Sequence, residues 1–232
     1  MKKQAPGRVI VTGGGSGLGA AIVEVILDAG GTPFVFDLDV SKVTAAKALQ
    51  VDVSDRDAVE RAVKEAADIL GGLDGVVTAA GIDRGGKLGE VPADEWEKVI
   101  GVNLLGTVSV VRAALPYLRE SRGRAITIAS TLGLRALPDA TAYCASKFAV
   151  IGFSRALAAE TAGVIGVTTI IPGGMSTHFF DDRNEQYKPQ DDDSTLNDPV
   201  NVAHAVVFAL AQPLGSEVRE LIICPAEEGT WP

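Results

Sequence analysis

Apolar positions along this chain fall into two kinds of run that alternate: short β-branched stretches without in–out alternation, and longer stretches at helical spacing. Arg8 to Val11 belongs to the first kind and predicts a buried parallel strand, since a strand covered on both faces has no polar side. Ala20 to Ala29 predicts the helix that follows it. The same pattern predicts strands over Thr32–Phe36, Ala48–Val53, Gly75–Thr78, Arg124–Ser130, Val164–Ile171 and Arg219–Cys224. Helices are predicted from Ser54, read as an N-cap with Asp57 at N3, to about Leu70, over Pro92–Ser121, from Tyr143 through Leu157, and over Pro199–Gln212. Only Asp39 to Lys47 separates the second strand from the third, so an abbreviated crossover helix is expected there. Seven strands joined largely by helical crossovers predict an α/β fold: a doubly wound, seven-stranded parallel sheet with helices on both faces, one domain over residues 1–232. Met175 to Asn197 breaks the pattern with acid- and amide-rich runs such as Gln190-Asp191-Asp192-Asp193. It reads as a mobile lid, about residues 175–198, anchored by Phe179 and Phe180.

One polar residue interrupts an apolar helical stretch. Asn103 lies within Val99-Ile100-Gly101-Val102-Asn103-Leu104-Leu105, where an unpaired amide is costly. Either it makes a structural hydrogen bond, or it marks a kink that aims a water or a carbonyl at a site.

Composition narrows the function classes. Hydrophobic residues make up 47% and charged residues 22%, ordinary for a globular protein. A net charge of −9 disfavours nucleic acid and anionic membrane surfaces as partners. The cysteines are Cys144 and Cys224 and the histidines His178 and His204, none with metal-ligand spacing, so a metal centre, a disulfide framework and a Ser-His-Asp triad are all poorly supported. The apolar run after Met1-Lys2-Lys3 is too short for a signal peptide, and no stretch reads as the roughly 18 apolar residues of a membrane span. A cytoplasmic, reduced protein is expected.

The chemistry concentrates at the carboxyl ends of the predicted strands. Thr12-Gly13-Gly14-Gly15-Ser16-Gly17-Leu18-Gly19 joins the first strand to its helix. Glycines there let the backbone turn tightly and approach a pyrophosphate held at the helix N-terminus, the opening of a Rossmann-type dinucleotide-binding unit. Asp37 closes the second strand 18 residues after Gly19, near the separation at which an acid takes a ribose 2′-hydroxyl. Leu38 follows it, and no Lys or Arg lies between Thr12 and Gly19 to hold a 2′-phosphate, so NAD is expected over NADP. Asp52 and Val53 end the third strand where an adenine ring can rest, although Asp52 reads equally well as a turn former. Ala79-Ala80-Gly81 ends the fourth, its small residues leaving room for a cofactor across the strand tips. Ser130 ends the fifth strand, and Tyr143 follows thirteen residues later. Tyr143 and Lys147 stand at i and i+4 and share a helix face. A free phenol has a pKa of about 10, and a neighbouring cation favours its phenolate. Pro172-Gly173-Gly174 closes the sixth strand.

With the Thr-Gly-x-x-x-Gly-x-Gly loop, Asn103, Ser130 and Tyr143-x-x-x-Lys147 in this order, nearly the whole chain resembles the short-chain dehydrogenase/reductase family. The resemblance implies Tyr143 as catalytic acid/base, Lys147 as the partner that lowers its pKa and holds the nicotinamide ribose, Ser130 as the group that orients the substrate oxygen, and Asn103 as the holder of a water in a proton relay. It implies cofactor contacts from Gly13, Ser16, Gly17, Leu18, Gly19, Asp37, Asp52, Val53, Ala79, Ala80 and Gly81, and nicotinamide-side contacts from Pro172, Gly173, Met175 and Thr177. Leu132, Gly133, Leu134, Met175, Phe179 and Phe180 are expected around the substrate, with Asp83 and Arg84 at the rim. Three departures stand out: Ala79 where the family usually has Asn, a short segment after Asp37, and a tail, Pro225 to Pro232, in place of the usual acidic-glycine turn. Because such tails often reach a neighbouring subunit, Trp231 is expected at an interface of a homo-oligomer, tetramer or dimer. The expected activity is hydride transfer between NAD(H) and an apolar or alicyclic secondary alcohol or its ketone. The alternatives are an NADP-dependent 3-oxoacyl-thioester reductase, acting on acyl carrier protein or CoA substrates, and a non-catalytic NAD-sensing protein.

Overall fold

The β-branched runs become strands because helices cover both of their faces. In a computed structural model, which describes residues 5–180 and 196–228, the strands are β1 (Arg8–Thr12), β2 (Thr32–Asp37), β3 (Lys47–Gln50), β4 (Gly75–Thr78), β5 (Arg124–Ile128), β6 (Gly166–Pro172) and β7 (Glu220–Ile223). They form one sheet in the order β3-β2-β1-β4-β5-β6-β7, with every pairing parallel. The helices are α1 (Gly17–Asp28), α2 (Arg56–Leu70), α3 (Ala93–Ile100), α4 (Thr107–Ser121), α5 (Thr141–Glu160) and α6 (Pro199–Leu210). Successive side chains of a strand point to opposite faces, and the core divides accordingly. Val9, Val11, Val35, Val77, Ile126 and Ile170 pack under α1 and α6. Ile10, Phe34, Phe36, Val76, Ala125 and Val167 pack under α2, α4 and α5. Each such fully buried Val, Ile or Phe side chain contributes about 1.5–3 kcal/mol by leaving water.

Several boundaries move for local reasons. β3 stops at Gln50, not Val53, because Asp52 turns the chain: its Oδ1 accepts from the Ser54 N–H (2.9 Å) and hydroxyl (2.6 Å). The N-cap of α2 is therefore Asp55, accepting from the Ala58 N–H at 3.0 Å, and not Ser54. No helix forms between β2 and β3, where nine residues turn directly into the edge strand. The predicted helix over Pro92–Ser121 does form, as α3 and α4 joined by a six-residue π-helical segment, Gly101–Gly106. Contrary to the sequence expectation, Ala93–Ser121 contains a window long and apolar enough to cross a membrane. In this fold Val110, Val111, Ala114 and Leu118 of that helix are used in the core.

Strand order reverses between β1 and β4: β2 and β3 lie to one side, β5 to β7 to the other. Ligands of open α/β sheets bind in the crevice at such a reversal, beyond the carboxyl ends of the strands. The glycine loop, the Ala79–Gly81 turn and Ser130 all leave the sheet at that end.

Candidate active site

β1 runs directly into the glycine loop, whose glycines are required by space as well as by backbone angle. The Gly13 N–H donates to the Phe36 C=O (2.8 Å), its φ is +68°, and a Cβ there would stand 2.9 Å from the Ala80 backbone. A Cβ on Gly19 would collide with the Gly13 C=O. Ser16 gives α1 no side-chain cap, and no acid lies in its first turn, whereas Asp55 and Asp198 cap α2 and α6. The first N–H groups of α1 thus stand ready for an anion. Leu18 is buried in the core, so only its backbone is left for a ligand. Asp37 lies against the loop: Oδ2 accepts from the Gly15 N–H (2.8 Å) and Oδ1 from the Asp39 N–H (3.1 Å). An uncapped helix start, a loop with little room for Cβ atoms at Gly13, Gly14, Gly15 and Gly19, and an adjoining carboxylate fit a dinucleotide. At the adenine side, Val53 is a core side chain, with Gly106 pressed against it, so Val53 too can offer only its backbone.

The proton-handling residues meet on the other side of the crevice. Tyr143 and Lys147 are both buried in α5, with the Lys147 Nζ 5.4 Å from the centroid of the Tyr143 ring. Nζ donates to the Ile128 C=O at the end of β5 (3.0 Å). Burial pulls the Lys147 pKa down to about 8, while the charge of Asp83 acts in the opposite sense. Ser130 follows β5 and opens a 3-10 turn, Thr131–Gly133, its Oγ accepting from the Leu132 N–H (3.1 Å). Gly133, expected in the pocket, instead seats this turn on α5: a Cβ there would lie 2.8 Å from the Lys147 C=O.

Asn103 is 1% exposed, and its amide is tied to protein on every side. Oδ1 accepts from the Ile82 N–H (2.8 Å), and Nδ2 donates to the Ile82 C=O (2.9 Å) and the Ser146 Oγ (3.0 Å). Ser146 in turn donates to the Tyr143 C=O (2.8 Å), and the Thr107 hydroxyl donates to the Asn103 C=O (2.8 Å). The side chain therefore makes the structural hydrogen bonds, and neither amide N–H is left over for a water. A Cβ on Gly81 would stand 3.4 Å from Asn103 Oδ1 and 3.7 Å from Lys147 Nζ, so these three residues meet.

Asp83 was expected at the rim, yet it is only 7% exposed. Its Oδ1 accepts from the Arg84 N–H (2.7 Å), and Arg84 pairs with Glu95 (3.1 Å). The one hint in the sequence was an acid two residues beyond Gly81. Next to Ala79, the Thr78 hydroxyl is buried with no partner among the described residues. Thr12 Oγ1 takes the Ala80 N–H (3.1 Å).

The Pro172–Phe180 segment spans the two halves. A Cβ on Gly17 would lie 3.5 Å from Thr177, and the Phe179 ring stands 5.6 Å from that of Tyr143, tilted by 58°. The Asn197 N–H donates to the Gly174 C=O and the Ser176 N–H to the Asn197 C=O, both at 3.0 Å, a pairing that leaves out the peptide groups of Met175 itself. Phe180 closes a 3-10 turn that begins at His178. Leu132 and Leu134 are half-buried, Leu134 against Ala129, Val150, Ile151 and Ile171. Residues 181–195 of the expected lid, and Trp231, lie outside the described residues.

Comparison with known proteins agrees with this fold. The family model described as short chain dehydrogenase matches residues 7–188. An uncharacterized oxidoreductase of Staphylococcus aureus strain MW2 is 34% identical over 227 residues, covering 93% of this chain and 96% of its own. The ligand-free aldohexose dehydrogenase of Thermoplasma acidophilum superposes with a TM-score of 0.86 at 26% identity, covering 94% of this chain and 92% of that one. An alcohol dehydrogenase of the archaeon Thermococcus sibiricus, complexed with 5-hydroxy-NADP, has the same fold, with a TM-score of 0.85 at 24% identity over 95% of this chain and 97% of that one.

Proposed function

The chain belongs to the short-chain dehydrogenase family of oxidoreductases, and from that premise we propose that it interconverts secondary alcohols and ketones with NAD(H), using Tyr143 as proton acceptor and donor. The observation that carries this reading is the buried pair of Tyr143 and Lys147, with the ammonium 5.4 Å from the ring centroid. In oxidation the Tyr143 phenolate takes the substrate hydroxyl proton; in reduction the phenol returns it. Lys147 makes the phenolate less costly by standing beside it in a site from which water is largely excluded. Ser130 Oγ accepts from the Leu132 N–H, which leaves its own proton available to donate to the substrate oxygen. Asn103 serves by holding Gly81 and Ile82 against Lys147, and a relay water would be held at its backbone rather than by its amide N–H groups.

NAD, when bound, supplies the hydride acceptor or donor. Its pyrophosphate would rest on Gly13, Ser16, Gly17, Gly19 and the Leu18 backbone, its adenine by Asp52 and Val53, and its ribose hydroxyls on Asp37. Ala79, Ala80 and Gly81 would pass beneath it, Tyr143 and Lys147 would meet the nicotinamide ribose, and Pro172, Gly173, Met175 and Thr177 the nicotinamide. A 2′-phosphate would face the Asp37 carboxylate, which supports NAD over NADP. Leu132, Leu134 and Phe179 offer a substrate a mainly apolar wall, which favours an apolar or alicyclic alcohol. The test is a panel of secondary alcohols, ketones and acyl thioesters assayed with both cofactors. NAD-linked turnover of apolar secondary alcohols is expected. Turnover confined to acyl thioesters with NADPH, or none with any pair, would overturn the reading.

A further inference from the structure

We propose that Glu228, in the tail after β7, is a positioning residue for the nicotinamide end of the cofactor, acting through Gly173 and Gly174; this rests on the dinucleotide reading above. β6 is held to its neighbour as far as the Gly173 N–H, which donates to the Ile223 C=O (2.9 Å). β7 ends at Ile223, so Gly174 is the first residue past the ladder and has no strand beside it to receive its N–H. Glu228 Oε2 accepts that N–H at 2.9 Å. The same carboxylate fills the space at Gly173, where a Cβ would collide with Oε2 and lie 3.1 Å from Pro225 Cδ. A side chain from five residues beyond the strand thus replaces the missing strand, with a charge-assisted bond that is stronger than a neutral one.

The consequence reaches the crevice because this segment is clamped from two directions. Glu228 and Ile223 hold Gly173 and Gly174 by their N–H groups, while Asn197 holds the Gly174 C=O and the Ser176 N–H. Between these anchors the Met175 peptide is kept out of the pairing, and Thr177 is kept beside Gly17 of the phosphate loop. Loss of the carboxylate frees one clamp and leaves the sheet itself intact. The Glu228 contact also gives the unusual tail a task in this fold.

The test is calorimetric titration of NADH into the wild-type protein and into Glu228→Ala and Glu228→Gln, with the melting temperature of each measured in parallel. Glu228→Ala is expected to weaken NADH binding about tenfold, the scale of a lost hydrogen bond to a charged group, with kcat at saturating cofactor changed far less than KM. Glu228→Gln keeps an acceptor oxygen and is expected to restore affinity to within about threefold of wild type. Equal NADH affinity in Glu228→Ala and wild type, a glutamine variant as weak as the alanine one, or an affinity loss that merely tracks unfolding would each overturn the proposal alone. A wild-type protein that binds neither NADH nor NADPH would instead overturn the dinucleotide reading, and this inference with it.

Discussion

Lys147 shows most directly what the fold does to a single residue. Its ordinary pKa of 10.5 falls to about 8 because burial disfavours the ammonium, with Asp83 opposing the fall. The folded state therefore holds this proton less tightly than the unfolded chain does. Below about pH 8 both states are protonated and the cost of burying the charge is felt in full. Between about pH 8 and 10.5 only the unfolded chain keeps the proton, so stability rises with pH, and above 10.5 both states are neutral. Urea unfolding of the apo-protein across this window should show wild type gaining about 3 kcal/mol relative to Lys147→Met; a constant difference would contradict the burial account. The spacing of Tyr143 and Lys147 put them on one helix face and Ser130 lay at a strand end, so their placement was legible in the sequence, while their roles came from the resemblance. Asp83 and Glu228 were not, because what they touch is set by tertiary packing that no local spacing encodes.

At the level of elements, the π-helical segment is where sequence and structure diverge most usefully. A long apolar helix was legible, as was the oddity of Asn103 within it. The choice between a structural bond and a kink was not, since it depends on Ile82, 21 residues away. Asn103→Ala should cost about 1–3 kcal/mol in urea unfolding, because it leaves the half-buried Ile82 N–H and C=O without their partner. It should also lower turnover, since Gly81 and Ile82 are no longer held beside Lys147. Unchanged stability in this variant would contradict the pinning role. The element boundaries that moved did so through short side-chain bonds: Asp52 ends β3 early and passes the N-cap to Asp55. A Ser followed three residues later by an acid is a fair signature of a helix start, and here a neighbouring Asp simply supplied the better-placed acceptor.

At the level of the whole molecule, the parallel sheet and its two covering layers were legible because the buried strands lack in–out alternation and the stretches between them repeat their apolar residues at helical spacing. The crevice then follows from where the strand order reverses. What the exposed surface does was less legible. Leu105 and Phe148 stand exposed near α4 and α5, and Phe208, Leu214 and Ile222 near α6 and β7. A homodimer or homotetramer, as the resemblance implies, is expected to cover some of these groups. Size-exclusion chromatography with light scattering should return two or four times the mass of one chain, and the mass of a single chain would contradict it.

One phenol is proposed to carry the proton in a crevice that holds the cofactor. Tyr143→Phe removes the hydroxyl and keeps the ring that packs on Phe179. The decisive measurement is turnover of this variant on whichever alcohol the panel yields, beside its affinity for NADH. Turnover lowered by about 10²–10⁴-fold is expected, with NADH still bound within about tenfold of wild type despite the lost ribose contact, whereas turnover within a few-fold of wild type would contradict the role of the phenol.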